Sequence, residues 1–323
     1  MSNSRRLVSI VAPVFNEQST LPELTQRLKA VAQQLADRHD FEFIYVDDGS
    51  RDGSLKVAIG LMDSEPRLRV IELRGNYGQT AALQAGLDEA RGEIVISMDA
   101  DLQHFPEDIP AFLEKIDKGY DVVCGWRHNR REGIVRRWPS RAANYLLRRI
   151  SRVAVHDIGT TFRAYRTEII RDFVLLGENH RFVPIFAKMV GAKIEEVPIE
   201  NIERLHGESS YGLGRTLNVF LDLFFLYFFV RYLDRPIRIF GKIALAAFAV
   251  AVIITAGLGF VWLETGHAVV REHSGYFTVA IMFYIGAVQL ILAGILAEVL
   301  SRIYFSGSNK ASFKIRRVWR VGD

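Results

Sequence analysis

The chain has 323 residues, of which 49% are hydrophobic, and a formal net charge of +4 at pH 7. Its mean hydropathy is slightly positive at +0.10, and its sequence pI is close to 9.1. This length accommodates one large domain or two smaller ones, and the basic charge favours anionic partners. Cys124 is the single cysteine, which excludes an intrachain disulfide and a zinc site built from several cysteines.

Short apolar runs alternate with helical patterns over the first 125 residues. Arg5 and Arg6 precede an apolar run that is too short for the core of a secretory signal, so we interpret this run as the first strand. The predicted strands are Leu7–Val14, Phe41–Val46, Leu68–Leu73, Glu93–Met98 and Asp121–Cys124. The predicted helices are Leu21–Arg38, Ser54–Met62, Gln79–Ala90 and Pro106–Lys118. This alternation predicts an α/β fold with a mostly parallel sheet.

Residues 126–215 follow a less regular pattern. Candidate elements there are Thr160–Tyr165, Glu168–Leu176, Phe182–Val190 and Lys193–Ile199. We find no internal repeat and no low-complexity linker, and we assign residues 1–215 to one domain.

Two uncharged apolar stretches follow, at Ile243–Leu263 and Ser274–Ala297. Each is long enough to cross a hydrocarbon layer of about 30 Å as a helix. A pair of buried core helices is the alternative, which the length of both stretches disfavours. Lysines and arginines flank the pair, so the positive-inside rule predicts that both chain termini are cytoplasmic. We expect a two-helix transmembrane anchor over residues 237–305 and a basic cytoplasmic tail over residues 306–323.

Residues 216–236 differ from these two stretches. They are rich in Phe and Leu, but Asp222 interrupts them and they are too short to cross a bilayer comfortably. This composition favours an interfacial amphipathic helix that lies along the membrane.

Asp99, Asp101 and Gln103 follow a buried apolar strand at i, i+2 spacing. In an extended chain this spacing places the side chains on one side. Two neighbouring carboxylates repel each other unless a cation or donor lies between them, and Mg²⁺ takes oxygen ligands that it shares with substrate phosphates. A metal site is therefore one interpretation. Capping of the helix that begins near Pro106 is the other, and the motif alone does not decide between them.

A second strand ends in Asp47 and Asp48, whose carboxylates can accept hydrogen bonds from a base or a ribose. The residues after it imitate an EF-hand loop, with Asp48, Ser50 and Asp52 in alternate positions. The twelfth position of such a loop would be Ile59 instead of glutamate, and a strand instead of a helix precedes it. We therefore reject a calcium-binding loop.

Two further strand ends are polar. Pro13–Glu17 closes the first strand, and Arg74–Thr80 closes the third and opens a helix. The latter is not a Walker loop, because no Gly-Lys-Ser/Thr follows, although its glycines allow close backbone approach to a ligand. Ligands of α/β sheets bind at the carboxyl ends of strands, so four polar ends at one edge predict a binding pocket.

The residues of these four motifs, and the order in which they occur, resemble those of the inverting glycosyltransferases of family 2, which have the GT-A fold. The resemblance covers roughly residues 7–205. The Asp-Ala-Asp-Leu-Gln-His segment at residues 99–104 is typical of the polyprenyl-phosphate glycosyltransferases, a branch that includes dolichyl-phosphate mannose synthase and bacterial undecaprenyl-phosphate sugar transferases. The resemblance implies a GT-A catalytic domain over residues 1–215 and a metal-dependent hexosyltransferase that uses Mg²⁺ or Mn²⁺.

The resemblance also implies roles for individual residues. The metal would be held by Asp99, Asp101 and Gln103. The base and ribose would contact Pro13, Phe15, Glu17 and Asp48. The nucleotide or its sugar would pass near Asn76, Gly78 and Asp99.

Nine arginines and a single acidic residue, Glu132, lie between residues 127 and 152. Arginine grips phosphate with two parallel charge-assisted hydrogen bonds, and in the resembling enzymes arginines of this segment hold the lipid phosphate. We select Arg127 first and Arg141 second for this role. The other arginines fit a solvated face or a surface that attracts anionic membrane lipids.

Asp157 lies in a segment that resembles the family's source of an acid near the sugar. A phosphate monoester has a second pKa of about 6 and is already anionic at neutral pH, so a general base is less necessary. We expect Asp157 to orient groups or to stabilise positive charge at the anomeric carbon, and we treat His156 as structural.

Residues 206–212 depart from a Gly-Lys-Ser-Lys-Tyr stretch of these enzymes, with Glu208 and Ser210 at the lysine positions.

These features together predict the inverting transfer of a sugar from a nucleotide sugar to polyprenyl phosphate, with undecaprenyl phosphate as the expected acceptor. We favour a UDP-hexose donor, with GDP-mannose as the alternative. The predicted location is the bacterial inner membrane, with the catalytic domain in the cytoplasm. The sequence leaves a homo-oligomer open.

Two rival functions fit the sequence less well. A processive polysaccharide synthase is disfavoured because Arg137-Trp138 lacks its motif partner at Ile134 and because two spans do not form a channel. A non-catalytic basic membrane protein would leave the acidic strand ends unexplained. We therefore expect no nucleic-acid partner.

Overall fold

The computed structural model describes residues 5–127, 155–172, 175, 179–200, 236–266, 272–306 and 313–320. The chain divides into two compact units. The first comprises Met1–Phe220 together with Asn309–Asp323, and the second comprises Leu221–Ser308. A β-sheet forms the centre of the first unit, and two long apolar helices lie in the second.

The described residues form eight strands and eight α-helices. The strands are β1 Arg6–Val14, β2 His39–Asp47, β3 Leu68–Leu73, β4 Ile94–Ser97, β5 Val122–Arg127, β6 Arg163–Arg166, β7 Ile194–Ile199 and β8 Ile315–Trp319. The helices are α1 Leu21–Gln34, α2 Ser54–Leu61, α3 Gln79–Glu89, α4 Ile109–Asp117, α5 Thr167–Ile170, α6 Val183–Met189, α7 Ile237–Thr265 and α8 Ser274–Ser306. Short 3-10 turns lie at Pro106–Asp108 and Asn179–Phe182.

The strands form one sheet in the order β7-β5-β6-β4-β1-β2-β3-β8. Neighbouring strands are parallel except where β6 pairs with β4 and β5 and where β8 pairs with β3. Because β1 and β2 pair in register up to Val14 and Asp47, their carboxyl ends lie side by side. The predicted α/β architecture with a mostly parallel sheet is confirmed.

Burial explains why these segments become strands and helices. Ile10 and Val11 of β1 point to opposite faces and are both fully buried, as expected of a parallel strand that is covered on both sides. Leu21, Leu24 and Leu28 of α1 recur every three or four positions and are fully buried, so one stripe of this helix packs on the core.

The carboxy-terminal tail differs from its prediction. Residues 306–323 are predicted to form a basic tail, whereas in the structure Ile315–Trp319 form β8, which pairs with β3 at the edge of the sheet. Basic residues are common on edge strands, where they prevent pairing with other chains, and they make such a strand resemble a solvated tail. The contact of Arg316 with Glu72 joins residues 244 positions apart, a separation that no local pattern reveals.

The second unit contains two helices with the length and composition of membrane spans. Their most apolar windows have mean hydropathies of 2.5 in α7 and 2.3 in α8, and only 11% and 17% of these windows are buried. Large apolar side chains such as Leu263 and Met282 are exposed, which disfavours a pair of soluble core helices. The helices are therefore candidate membrane spans. The predicted interfacial helix lies almost entirely outside the described residues.

Small residues form the buried positions of this helix pair. Ala244 and Ala251 of α7 and Ala280 and Ala287 of α8 are almost fully buried, and each pair is spaced by seven residues. Small side chains at such an interface allow two helices to approach closely within a bilayer.

Candidate active site

A cavity of about 270 Å³ lies at the carboxyl ends of the central strands. All the residues that the resemblance assigns to the nucleotide sugar line it, and so does Asp101. Gln103, the third predicted metal ligand, does not line this cavity. The lining residues are Pro13, Val14, Phe15, Glu17, Asp48, Asn76, Gly78, Gln79, Asp99, Ala100 and Asp101.

The loop after β1 is joined to the loop after β2 by hydrogen bonds. The Asn16 side-chain oxygen accepts the Arg51 N–H at 2.8 Å, and the Glu17 N–H donates to Ser54 Oγ at 2.8 Å. Asn16 adopts a left-handed backbone at φ 57, a conformation that asparagine tolerates better than most residues. These contacts hold Phe15, which is 42% exposed, at the cavity wall, where its ring is available to a planar ligand.

Asp48 holds the loop between β3 and α3. Its carboxylate accepts the Tyr77 N–H at 2.7 Å and the Gly78 N–H at 2.8 Å. Burial raises the pKa of Asp48, and the two backbone donors oppose that rise. Gly78 has φ 91, which favours glycine, and α3 begins at the next residue. Asp48 therefore shapes the loop that carries Asn76 and Gly78, in addition to lining the cavity.

Asp99 is held by two side-chain donors from different elements. Gln79 Nε2, at the start of α3, donates to Asp99 Oδ1 at 2.6 Å, and Thr161 Oγ1 donates to Asp99 Oδ2 at 2.6 Å. Thr161 is itself fixed, because its carbonyl accepts the Ser97 hydroxyl at 2.5 Å. Both oxygens of Asp99 therefore have fixed orientations before any ligand binds.

The chain does not stay extended through Asp99, Asp101 and Gln103, so the expected i, i+2 alternation is wrong. β4 ends at Ser97, and residues 100–103 form a bend. Leu102 has φ 59, an unfavourable backbone for a bulky residue, and the Gln103 N–H donates to Asp101 Oδ1 at 3.1 Å. Strained backbone of this kind clusters at functional sites.

Arg127 and Asp157 form a bidentate ion pair. Arg127 Nε donates to Asp157 Oδ2 at 2.6 Å, and Nη2 donates to Oδ1 at 3.0 Å. The side chains are only 12% and 8% exposed. Arg141 and the arginines at positions 130, 131, 136 and 137 lie outside the described residues. Of the nine arginines in the predicted basic segment, the structure describes Arg127.

Glu196 of β7 fixes the backbone that carries Asp157. One carboxylate oxygen accepts the N–H groups of His156 and Asp157 at 2.6 and 3.2 Å, and the other lies 2.7 Å from His156 Nδ1. The imidazole stacks on Trp126, with 4.6 Å between ring centroids. These contacts agree with a structural role for His156.

His104 is the last residue of the acidic segment at residues 99–104. It is buried and stacks on Phe162 at 5.6 Å. Burial lowers the pKa of His104 to about 4, with the charge of Arg127 acting in the same direction, while Asp101 and Asp157 oppose it. His104 is therefore neutral at physiological pH.

Sequence reasoning missed three residues of this arrangement, Gln79, Thr161 and Glu196. Gln79 opens a predicted helix beside a polar strand end, which is a weak signal for a site residue. Thr161 and Glu196 carry no local signal, because their contacts depend on how β6 and β7 join the sheet.

The model of the glycosyl transferase family 2 matches residues 9–174. The chain belongs to this family. It is 38% identical to dodecaprenyl-phosphate galacturonate synthase of Rhizobium johnstonii, over 97% of this chain and 93% of that protein. It is 39% identical to undecaprenyl-phosphate 4-deoxy-4-formamido-L-arabinose transferase of Pseudomonas paraeruginosa, over 98% of this chain and 91% of that one.

Solved structures share the fold of this glycosyltransferase. Glucosyl-3-phosphoglycerate synthase of Mycobacterium tuberculosis, in complex with Mn²⁺, UDP and glucosyl-3-phosphoglycerate, has a TM-score of 0.52 at 20% identity and covers 68% of this chain and 80% of its own. A mannosyltransferase of Pyrobaculum calidifontis in complex with GDP-Man and Mn²⁺ has a TM-score of 0.50 at 18% identity, over 89% and 87%. The chain therefore has a GT-A-like fold.

The acidic side of the cavity fits a divalent metal that is shared with a ligand. Among the described residues, no group of three or more His, Cys, Asp and Glu side chains is arranged to hold a metal by itself. Mg²⁺ in nucleotide sites takes only one or two carboxylates and completes its shell with phosphates and water. Asp99 and Asp101, which both line the cavity, supply such a partial set of ligands.

Proposed function

We propose that this glycosyltransferase transfers a sugar from a nucleotide sugar, with a UDP-hexose favoured, to polyprenyl phosphate with inversion at the anomeric carbon. The observation that carries the proposal is a cavity lined by Asp48, Asp99 and Asp101. The segment that leads into β6 joins it to the arginine–carboxylate pair, because Asp157 of this segment binds Arg127 and Thr161 of the same segment donates to Asp99. Two relatives that span nearly the whole chain are named for polyprenyl-phosphate acceptors, which supports the same acceptor here.

The donor occupies the cavity in this proposal. Phe15 and Glu17, from the loop after β1, and Asp48, Asn76 and Gly78, from the ends of β2 and β3, line the cavity that it fills. Mg²⁺ or Mn²⁺ held by Asp99 and Asp101, the two predicted metal ligands that line the cavity, would neutralise the diphosphate of the leaving nucleotide.

Arg127 binds the acceptor phosphate while it remains paired with Asp157. A guanidinium group has five N–H donors, and the contacts with Asp157 use those on one side, at Nε and Nη2. Among the described residues no acceptor contacts Nη1, which leaves an end-on pair of donors for a phosphate. Arg141, outside the described residues, is the second phosphate ligand in this proposal.

The reaction needs no separate base. The acceptor phosphate is anionic at neutral pH, because its second pKa is about 6. One of its oxygens forms a bond to the anomeric carbon as the bond to the nucleoside diphosphate breaks, and the electron pair leaves on the diphosphate. Asp157 orients Arg127 and supplies negative charge near the anomeric carbon, where positive charge develops.

The membrane completes the proposed setting. The two candidate spans would anchor the chain in the bacterial inner membrane, and the flanking basic residues favour a cytoplasmic catalytic unit and termini. The arginines between residues 130 and 137 would attract anionic lipids, at about 1 kcal/mol each near the surface.

The test is transfer of label from a panel of nucleotide sugars to undecaprenyl phosphate, with Mg²⁺ or Mn²⁺, followed by extraction of labelled lipid. The panel should contain UDP- and GDP-hexoses together with activated galacturonate and 4-deoxy-4-formamido-L-arabinose, the sugars that name the relatives. Asp101→Asn should abolish metal-dependent transfer. The absence of a labelled lipid with every donor, or full activity of Asp101→Asn, would contradict the proposal.

A further inference from the structure

The last strand of the chain, β8, lies beside the loop that carries the donor-side residues Asn76 and Gly78. The Arg74 N–H, at the start of this loop, donates to the Lys314 carbonyl at 2.9 Å. The Arg74 carbonyl lies 3.5 Å from Nη2 of Arg316. Arg316 of β8 and Lys314, the residue just before β8, therefore contact the two backbone polar groups of Arg74.

Arg316 also pairs with the Glu72 carboxylate of β3. Its Nη1 donates to Glu72 Oε1 at 3.0 Å, and a register shift in the β3–β8 pairing accompanies this contact. Glu72 is the register partner of Asp47 on β2, and both residues are buried. Burial raises the pKa of Asp47, and the negative charge of Glu72 adds to that rise. Arg316 is thus an ion-pair partner of one of these two carboxylates, Glu72.

The opposite side of the same loop rests on the end of β2. Asp48 binds the Tyr77 and Gly78 N–H groups. A Cβ atom at Gly49, whose φ is +70, would lie only 2.7 Å from the Gly75 carbonyl carbon. The loop is thus enclosed between the β2 end and β8, and it has little room to shift unless one of them moves.

We propose that β8 positions the donor pocket, with Arg316 as the positioning residue that joins Glu72 and Arg74 to the loop carrying Asn76 and Gly78. This inference rests on the proposed function, because it takes these two residues as part of the nucleotide-sugar site. It gives the strand that follows the two apolar helices a direct role in donor binding. Arg316 acts through the loop, since its guanidinium does not line the cavity.

The experiment uses the full chain in detergent or membranes and compares Arg316→Gln with Arg317→Gln. Both substitutions remove one positive charge from β8. Arg317 is the register partner of Glu72, but its guanidinium stacks on Trp319 of its own strand, whereas Arg316 forms the ion pair with Glu72. Arg316→Lys tests rescue, because lysine keeps the charge and can still reach Glu72. Glu72→Gln and the double variant Glu72→Gln/Arg316→Gln test whether the two residues act as one unit. Each variant is assayed for KM of both substrates, for kcat, and for calorimetric binding of UDP and GDP with Mn²⁺.

Arg316→Gln should raise the KM of the nucleotide sugar and weaken nucleotide binding by about threefold to tenfold, the scale of one partly exposed charge-assisted contact. The KM of undecaprenyl phosphate and kcat should stay unchanged. Arg316→Lys should recover part of the affinity, Arg317→Gln should match the wild type, and the double variant should be no worse than Arg316→Gln.

Equal effects of Arg316→Gln and Arg317→Gln, or equal effects on both substrates, would overturn the inference. If Arg316→Gln does not fold, Arg316→Lys and Glu72→Gln decide the question, and wild-type donor affinity in both would reject it. If the wild-type protein transfers no sugar, the proposed function fails. The binding of UDP and GDP then still tests Arg316 separately.

Discussion

Arg127 and Asp157 hold each other through two hydrogen bonds of 2.6 and 3.0 Å, although 30 residues separate them in the chain. The pair joins the end of β5 to the segment that leads into β6. The Gly159 N–H adds a third donor to Asp157, at 3.1 Å. An arginine selected for phosphate binding is therefore already oriented by a carboxylate, which links the roles of the two residues.

We expect Arg127→Lys and Asp157→Asn each to lower kcat/KM for polyprenyl phosphate by about a hundredfold. Arg127→Lys removes the planar group that makes both buried contacts, and Asp157→Asn removes the charge of the carboxylate. The double variant should be little worse than either single one. Initial rates over a range of undecaprenyl phosphate concentrations provide the measurement. Fully additive losses would show that the two residues act independently.

Thr161→Val should lower transfer by about tenfold, because Asp99 loses one of its two fixed donors while side-chain volume is retained. Thr161→Ser keeps the hydroxyl and serves as the matched control, with activity close to wild type. Rates at saturating acceptor and varied nucleotide sugar test this. Wild-type activity of the Thr161→Val variant would mean that the hydrogen bond to Asp99 has no role in donor binding.

Glu42→Ala should lower the free energy of unfolding by about 3 kcal/mol, because it leaves the buried Arg69 without its closest carboxylate. Glu42 also accepts the Ser9 hydroxyl and the Arg91 N–H, at 2.5 and 2.7 Å. Urea unfolding provides the measurement.

Glu23→Ala is the control for that variant. It removes an exposed ion pair with Arg27 within α1 and should cost less than about 0.5 kcal/mol. Similar losses in the two variants would show that burial does not set the contribution of the Glu42–Arg69 pair.

Asp108→Asn should stabilise the protein at neutral pH but not in acid. Burial raises the pKa of Asp108 to about 6, and the charges of Glu200 and Glu107 add to this rise. The folded protein therefore binds more protons than the unfolded chain between pH 4 and 6, so wild-type stability falls as pH rises through this window.

The variant removes that penalty, and its thermal midpoint should exceed the wild-type value by about 2–4 °C at pH 7.5. The two proteins should have nearly equal midpoints at about pH 3, where Asp108 is protonated in the folded protein and mostly protonated in the unfolded chain. Thermal unfolding at the two pH values is the measurement. A difference that does not depend on pH would contradict the raised pKa.

Local patterns in the sequence predict much of this protein. Apolar runs that end in polar residues predict β1 to β4 within a few residues, because a buried parallel strand needs continuous apolar side chains. The ends of these strands must share one edge of the sheet, so Glu17, Asp48, Asn76 and Asp99 could be placed in one pocket before any coordinates. Uncharged stretches of membrane length likewise indicate α7 and α8.

The tertiary structure decides what depends on long-range register. In the sequence, residues 315–319 look like part of a basic tail. The pairing of β8 with β3 is what brings Arg316 to Glu72. The bend at Leu102 replaces the extended course expected for Asp99 to Gln103. Thr161 and Glu196 reach the site because β6 and β7 join the sheet out of chain order. Periodicity describes which face of an element is apolar, whereas contacts between distant elements are set by packing of the whole sheet.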